Sequence, residues 1–309
     1  MSTYNQLIHK YKNELDEKGL SLETSKAFLF ELCNDSNINL YLDMDNESLP
    51  SIENKFNEGM IRILNDEPMN YVLGYSYFYG YKLSVNKDVL IPRPETEELV
   101  CLILCKYDEY FKGKKVNICD VGTGSGGIAI ALKKEETNFN VFASDISKEA
   151  LEVAKRNAKD NDADISFMCG SMLDPYIDNN IKIDILVSNP PYIKANEDLE
   201  KSVVDYEPHV ALFGGNDGLK FYRIIFENAK KILNDNAMLF FEIGYDQKEN
   251  LTELAKQYFI GAEINVLKDI NGKDRMLFIK LWYIFHNLFT VNWYINNVII
   301  FSLSLPNNK

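Results

Sequence analysis

A chain of 309 residues, 46% hydrophobic, is long enough to bury one large core and a second, smaller one. Its formal net charge of −13 opposes general attraction to nucleic-acid phosphates, so direct sequence-specific nucleic-acid binding is not expected. Five scattered cysteines form no Cys-x-x-Cys pair, the three histidines lie far apart, and the polar stretch Met1 to Glu14 lacks the apolar centre of a secretion signal, which together predict a cytoplasmic chain without a zinc site and with reduced thiols, Cys101, Cys105 and Cys119 in the core.

Residues 1–73 read as a small helical domain. Tyr4 to Glu17, Leu22 to Cys33 and Ile52 to Leu64 carry apolar residues at helical spacing, with Ser21 and Ser51 as N-caps. From Tyr71 to Val89, aromatics alternate around Gly74 and Gly80, which predicts a β-hairpin linker over 74–90. Pro92 and Pro94 then stiffen the entrance to a helix beginning near Glu95. Val116 to Val121, Asn140 to Ser144, Ile165 to Cys169, Ile183 to Ser188 and Ala237 to Ile243 read as buried strands. They alternate with helical stretches at Gly127 to Lys134, Lys148 to Asp160 and Leu219 to Leu233. Such alternation predicts an α/β domain over 91–280 whose mostly parallel sheet is covered on both faces. The stretch from Leu281 to Asn308 has no Asp, Glu, Lys or Arg and is apolar-rich, yet Asn287, Asn292, Asn296 and Asn297 interrupt it. Residues 281–309 therefore read as an atypical hydrophobic tail for which membrane association is not expected.

Two loops carry the chemistry. Asp120-Val121-Gly122-Thr123-Gly124-Ser125-Gly126-Gly127 follows the first strand of the α/β region and leads straight into a helix. Glycines there allow positive φ and close backbone approach, and helix-start N–H groups face the crevice. Asp145, 23 residues beyond Gly122, ends the next strand, where a carboxylate can accept from both ribose hydroxyls. Ser147 is better placed than Asp145 to cap the helix that follows, and Asp120 also reads as a plain turn residue. Gly122, Gly124 and Gly127 satisfy a dinucleotide fingerprint, so a nicotinamide cofactor stays open, although the crowded glycines after Asp120 are more like a loop holding S-adenosylmethionine.

The second loop, Asn189-Pro190-Pro191-Tyr192, follows the strand that ends at Ser188. An amide nitrogen is a poor nucleophile because its lone pair is delocalised, so methylating one requires acceptors that hold it. Asn189 offers a side-chain carbonyl. Pro190 has a fixed φ and no N–H, which leaves its carbonyl to face a substrate in a stiff turn, and Tyr192 offers a flat wall. Read alone, the tetrapeptide is also an ordinary turn.

These loops resemble those of class I S-adenosylmethionine-dependent methyltransferases. With Glu67 to Gly74, Leu90 to Glu97, Tyr206-Glu207-Pro208, Ala211 to Gly215, Glu242-Ile243-Gly244 and Asp274-Arg275, the chain up to about residue 280 resembles the release-factor glutamine methyltransferase family. The resemblance implies a Rossmann-like, mostly parallel seven-stranded sheet. It also implies transfer of a methyl group from S-adenosyl-L-methionine to the glutamine nitrogen in the Gly-Gly-Gln loop of peptide-chain release factors. Gly122, Thr123, Gly124, Ser125, Gly126 and Asp145 would hold the cofactor, with Met172 over its adenine. Asn189 would touch cofactor and substrate, Asn189 to Tyr192 would form the glutamine pocket, and Asn189, Pro190 and Tyr192 would be catalytic. The helical domain would recognise the substrate. Ser171 departs from the pattern, since the family often has Asp there. Arg93, Glu95, Glu97 and Glu207 read either as pocket rim or as surface ion pairs and helix-start charge, and His209 as rim or structural. Rival readings are an adenine-DNA methyltransferase, a ribosomal-protein glutamine methyltransferase, a nicotinamide dehydrogenase and a noncatalytic binding module.

Overall fold

The structure, a computed structural model, describes residues 2–199 and 201–282. Six helices open the chain: α1 (Tyr4–Lys10), α2 (Lys12–Glu17), α3 (Leu22–Asn34), α4 (Leu40–Asp43), α5 (Pro50–Leu64) and α6 (Met69–Leu73). Thr3 starts α1 with a reciprocal capping box to Gln6. The helix expected to run from Tyr4 to Glu17 is broken at Tyr11, whose φ of −105° and ψ of 22° end α1, while its hydroxyl donates to Asn57. Ser51 is not a cap, because α5 starts one residue earlier with Pro50 at its first position behind Leu49, and Ser21 sits at the N-cap of α3 without a side-chain bond. Leu7, Phe28, Leu29, Phe56 and Met60 anchor a core belonging to these helices alone.

Gly74, at φ 82°, closes α6 and turns the chain into β1 (Tyr75–Phe78), which pairs antiparallel with β2 (Tyr81–Ser84). Tyr79 and Gly80 between them both have positive φ, as a tight two-residue hairpin turn requires. The helix α7 (Pro94–Tyr110) buries Thr96, Leu99, Val100, Ile103 and Tyr107. That stripe leaves Cys101 and Cys105 on the outer face, so both are exposed, contrary to their expected core placement, whereas Cys119 is buried.

There follow β3 (Val116–Val121), α8 (Gly127–Glu135), β4 (Phe139–Asp145), α9 (Lys148–Asp160), β5 (Ile165–Cys169), α10 (Asp174–Asp178) and β6 (Ile183–Ser188). After them come α11 (Lys201–Tyr206), α12 (Lys220–Ala229), β7 (Leu233–Glu242), α13 (Lys248–Tyr258), β8 (Glu263–Lys268) and β9 (Asp274–Lys280). The seven strands lie in the order β5-β4-β3-β6-β7-β9-β8. All neighbours from β5 to β7 are parallel, and β9 is antiparallel to both β7 and β8. Alternate residues serve opposite faces: Met238 and Phe240 of β7 join Leu99, Ile103 and Ile130, while Leu239 and Phe241 join Tyr222, Phe226 and Leu251. Each such buried aliphatic or phenyl side chain contributes about 1.5–3 kcal/mol. The order reverses between β3 and β6, and in an open α/β sheet ligands bind at the carboxyl ends beside that reversal.

Leu281 continues from β9 with its N–H on the Ala237 carbonyl at 2.9 Å. The hydrophobic tail read over 281–309 lies outside the described residues beyond Trp282. Among the described residues, no helix is long and apolar enough to cross a membrane.

Candidate active site

The glycine loop is shaped by the strand ends beneath it. Gly122 and Thr123 both donate backbone N–H groups to the Ser144 carbonyl at 2.9 Å, bending the chain over β4. Gly122 and Gly124 have φ of 75° and 55°, which favours glycine there, and no atom lies within 4 Å of where a Cβ would stand on either. Asp145 braces the loop by accepting from Gly124 N and Ser147 N, both at 2.9 Å. Ser147 caps α9 by accepting from Ala150 N, which releases Asp145 from that task. Burial pushes the Asp145 carboxyl upward against these backbone bonds. At the root of the loop, Asp120 is fully buried: Thr123 Oγ1 donates to one oxygen at 2.6 Å, and the other has no hydrogen-bond partner among the described residues. Burial pushes its carboxyl up to about 7.

The second loop, Asn189 to Tyr192, here called the acceptor loop for the role expected of it, faces this one across a cleft of about 350 Å³ whose lining includes Gly122, Gly124, Asp145, Met172, Asn189, Pro190 and Pro191. Met172 adopts a φ of 45° there, uncommon for a side-chain-bearing residue, and Ser171 joins the lining. A smaller adjoining space is lined by Thr123, Ser125, Thr96 and Arg93, and Asn189 borders both. Two expected site residues stand apart. Gly126 meets α9 instead, since a Cβ on it would lie 3.2 Å from that of Ala154. The large cleft's lining does not include Tyr192, whose ring turns to the core and whose hydroxyl donates to Glu242 Oε1 at 3.2 Å. Of the tetrapeptide, Asn189, Pro190 and Pro191 line the cleft.

The loop holding Asn189 is fixed from several sides. Ser188 Oγ donates to the Val121 carbonyl at 2.7 Å. Asn189 Nδ2 donates to Thr96 Oγ1 at 3.3 Å, and that hydroxyl donates to Glu242 Oε2 at 2.6 Å. Gln247 Nε2 donates to the Tyr192 carbonyl at 3.1 Å. A Cβ on Gly218 would stand 2.3 Å from the same carbonyl and 2.4 Å from Gln247 Nε2, at a φ of 75°. Gly218→Ala is therefore expected to destabilise the fold by about 1–3 kcal/mol and to lower turnover by displacing the loop. Wild-type denaturant midpoint and turnover would refute the close packing. Arg93 pairs with the buried Glu207 at 2.5 Å, joining the segment before α7 to that after α11, and His209 engages the Val204 carbonyl while stacking edge-on with Phe213. Arg93 thus makes an ion pair while also lining the smaller space beside Asn189.

The Methyltransferase small domain family matches residues 103–206. A Bacillus anthracis protein named release factor glutamine methyltransferase is 39% identical over 269 residues, which span 86% of this chain and 95% of that one. The protein of that name in Bacillus subtilis (strain 168) is 48% identical over 68% of this chain and 74% of its own length. The chain belongs to the release factor glutamine methyltransferase family. It is a methyltransferase with the fold to match: the hMettl16 catalytic domain, solved in complex with MAT2A 3′UTR hairpin 6, aligns at a TM-score of 0.50 over 66% of this chain and 76% of that one. At 16% identity, that likeness is one of fold alone.

Sequence reading of this release factor glutamine methyltransferase family member missed several neighbours of the site. Asp88, Val89 and Leu90 of the linker line the cleft, as do Lys220 and Phe221 at the start of α12. Thr96 and Glu242 lie behind Asn189. Both fall inside motifs quoted for the family resemblance, and Glu242, an acid after the apolar run Ala237 to Phe241, is only 3% exposed.

Proposed function

We propose that this enzyme transfers a methyl group from S-adenosyl-L-methionine to the side-chain amide nitrogen of the glutamine in the Gly-Gly-Gln loop of a peptide-chain release factor. The observation that carries the reading is that Asn189, Pro190 and Pro191 line the same cleft as Gly122, Gly124 and Asp145. The cleft suits the cofactor: its volume lies in the range of small-molecule sites, the two glycines leave their inner face clear, and the acid Asp145 on its wall favours a cationic ligand. Gly122, Gly124 and Asp145 would hold it with Thr123, Ser125 and Met172 nearby. S-adenosylmethionine, when bound, supplies an electrophilic methyl group on a sulfonium.

The remaining work falls to positioning. The Asn189 side-chain carbonyl and the Pro190 carbonyl would accept the two N–H groups of the glutamine amide and so orient its nitrogen toward the methyl donor. As the nitrogen gains positive charge, these fixed dipoles favour the change. Proton loss to water then completes the reaction. The helical segment 1–73, with its own core, serves as the element that recognises the release factor, and the cytoplasm is the compartment where such a substrate is met.

Transfer of labelled methyl to full-length release factor tests the reading, with the same factor substituted at the Gly-Gly-Gln glutamine as control. Label confined to the unsubstituted factor is expected. Absence of transfer, or equal labelling of both, would overturn the assignment.

A further inference from the structure

We infer that Thr96 and Glu242 are positioning residues that set which end of the Asn189 amide faces the cleft, and so select an amide over a carboxylate as the group admitted there. The inference rests on the proposed role of Asn189 as an acceptor for the substrate nitrogen. An ionised carboxylate only accepts, and Glu242 receives two donors, Thr96 Oγ1 at 2.6 Å and the Tyr192 hydroxyl at 3.2 Å. A threonine hydroxyl carries one proton. With that proton committed to Glu242, Thr96 can only accept from Asn189, which it does from Nδ2 at 3.3 Å.

The Asn189 carbonyl oxygen is thereby left for the cleft. Reversal of the amide would set its oxygen against the lone pairs of Thr96, while the two ends of an amide are otherwise nearly equal in shape. A reversed Asn189 would present N–H groups to the substrate. It would then favour a carbonyl or carboxylate and repel the N–H groups of a glutamine.

The relay is built from separate parts of the fold: Thr96 on α7, Glu242 at the end of β7, and Asn189 and Tyr192 in the loop after β6. Thr96 is 5% and Glu242 3% exposed, so water does not compete freely for either. The backbone carbonyl of Glu242 is itself fixed by the Tyr222 hydroxyl at 2.6 Å. Burial raises the Glu242 carboxyl, against which the bonds from Thr96 and Tyr192 and the Arg275 charge favour the ionised form.

Thr96→Val keeps the shape and removes the relay's hydroxyl. Its turnover on full-length release factor is expected to fall about tenfold, the scale of one buried hydrogen bond, with S-adenosylmethionine affinity by calorimetry held within about twofold. Thr96→Ser should restore turnover to within about threefold, and Glu242→Gln, which has one acceptor oxygen for two donors, should lose about as much as Thr96→Val. The decisive measurement is Thr96→Val in the Asn189→Ala background, where less than about a twofold further loss is expected because Thr96 acts through Asn189. An equal loss with and without the Asn189 side chain would overturn the inference. So would wild-type turnover in both single variants, or a fall in cofactor affinity that matches the fall in turnover. If wild-type enzyme transfers no methyl to release factor, the functional reading itself fails, a result distinct from either of these.

Discussion

Asn189→Ala is expected to lower single-turnover methyl transfer about 100- to 1000-fold, the scale of losing one preorganised dipole at a reacting centre, while S-adenosylmethionine still binds. The backbone that carries Asn189 should survive the change. Ser188 ties it to the Val121 carbonyl and Gln247 holds the Tyr192 carbonyl, whereas the Asn189 side chain itself, among the described residues, makes one 3.3 Å bond, to Thr96. Loss of rate without loss of fold is therefore the signature, read as a single-turnover rate beside an unchanged denaturant midpoint. A near-normal rate would remove Asn189 from the chemistry.

Asp120 should make the enzyme less stable as pH rises. Its carboxyl is pushed to about 7 from an ordinary 3.8 by burial, so between those values the folded chain holds a proton that the unfolded chain has released. Folding is favoured at the acid end of that window, and the contribution is lost progressively as pH climbs to about 7, in total on the order of 4 kcal/mol. Asp120→Asn removes the ionisation and keeps an oxygen for Thr123. Unfolding free energies measured from pH 4 to pH 8 should show the variant gaining on wild type as pH rises. Parallel curves would show that the Asp120 carboxyl titrates alike in both states.

Much of this molecule is legible in its sequence, and the reasons for the gaps are physical. The strands at Val116–Val121, Ile165–Cys169 and Ile183–Ser188 were readable to the residue because turn chemistry bounds each apolar run. By contrast, β8 is an edge strand with no fully buried residue, so its pattern is weak, and β9 lies between it and the distant β7. The break at Tyr11 depends on an aromatic reaching Asn57, 46 positions away. The glycine loop and the acceptor loop announce themselves because glycine and proline restrict the backbone locally. Thr96 and Glu242 meet Asn189 only through tertiary packing, and Tyr192 could not be seen turning from the cleft until Glu242 was there to receive its hydroxyl.

Val121 and Ser188 are register partners on the adjacent parallel strands β3 and β6. Gly122 and Asn189 are the next residues on each, so the two halves of the site leave the sheet side by side, one strand spacing of about 4.8 Å apart. The spacing between the two loops at their roots is thus set by a hydrogen-bonded ladder of the sheet. The opening helices keep a core of their own, so a substitution inside that core leaves the packing beneath both loops of the site unchanged.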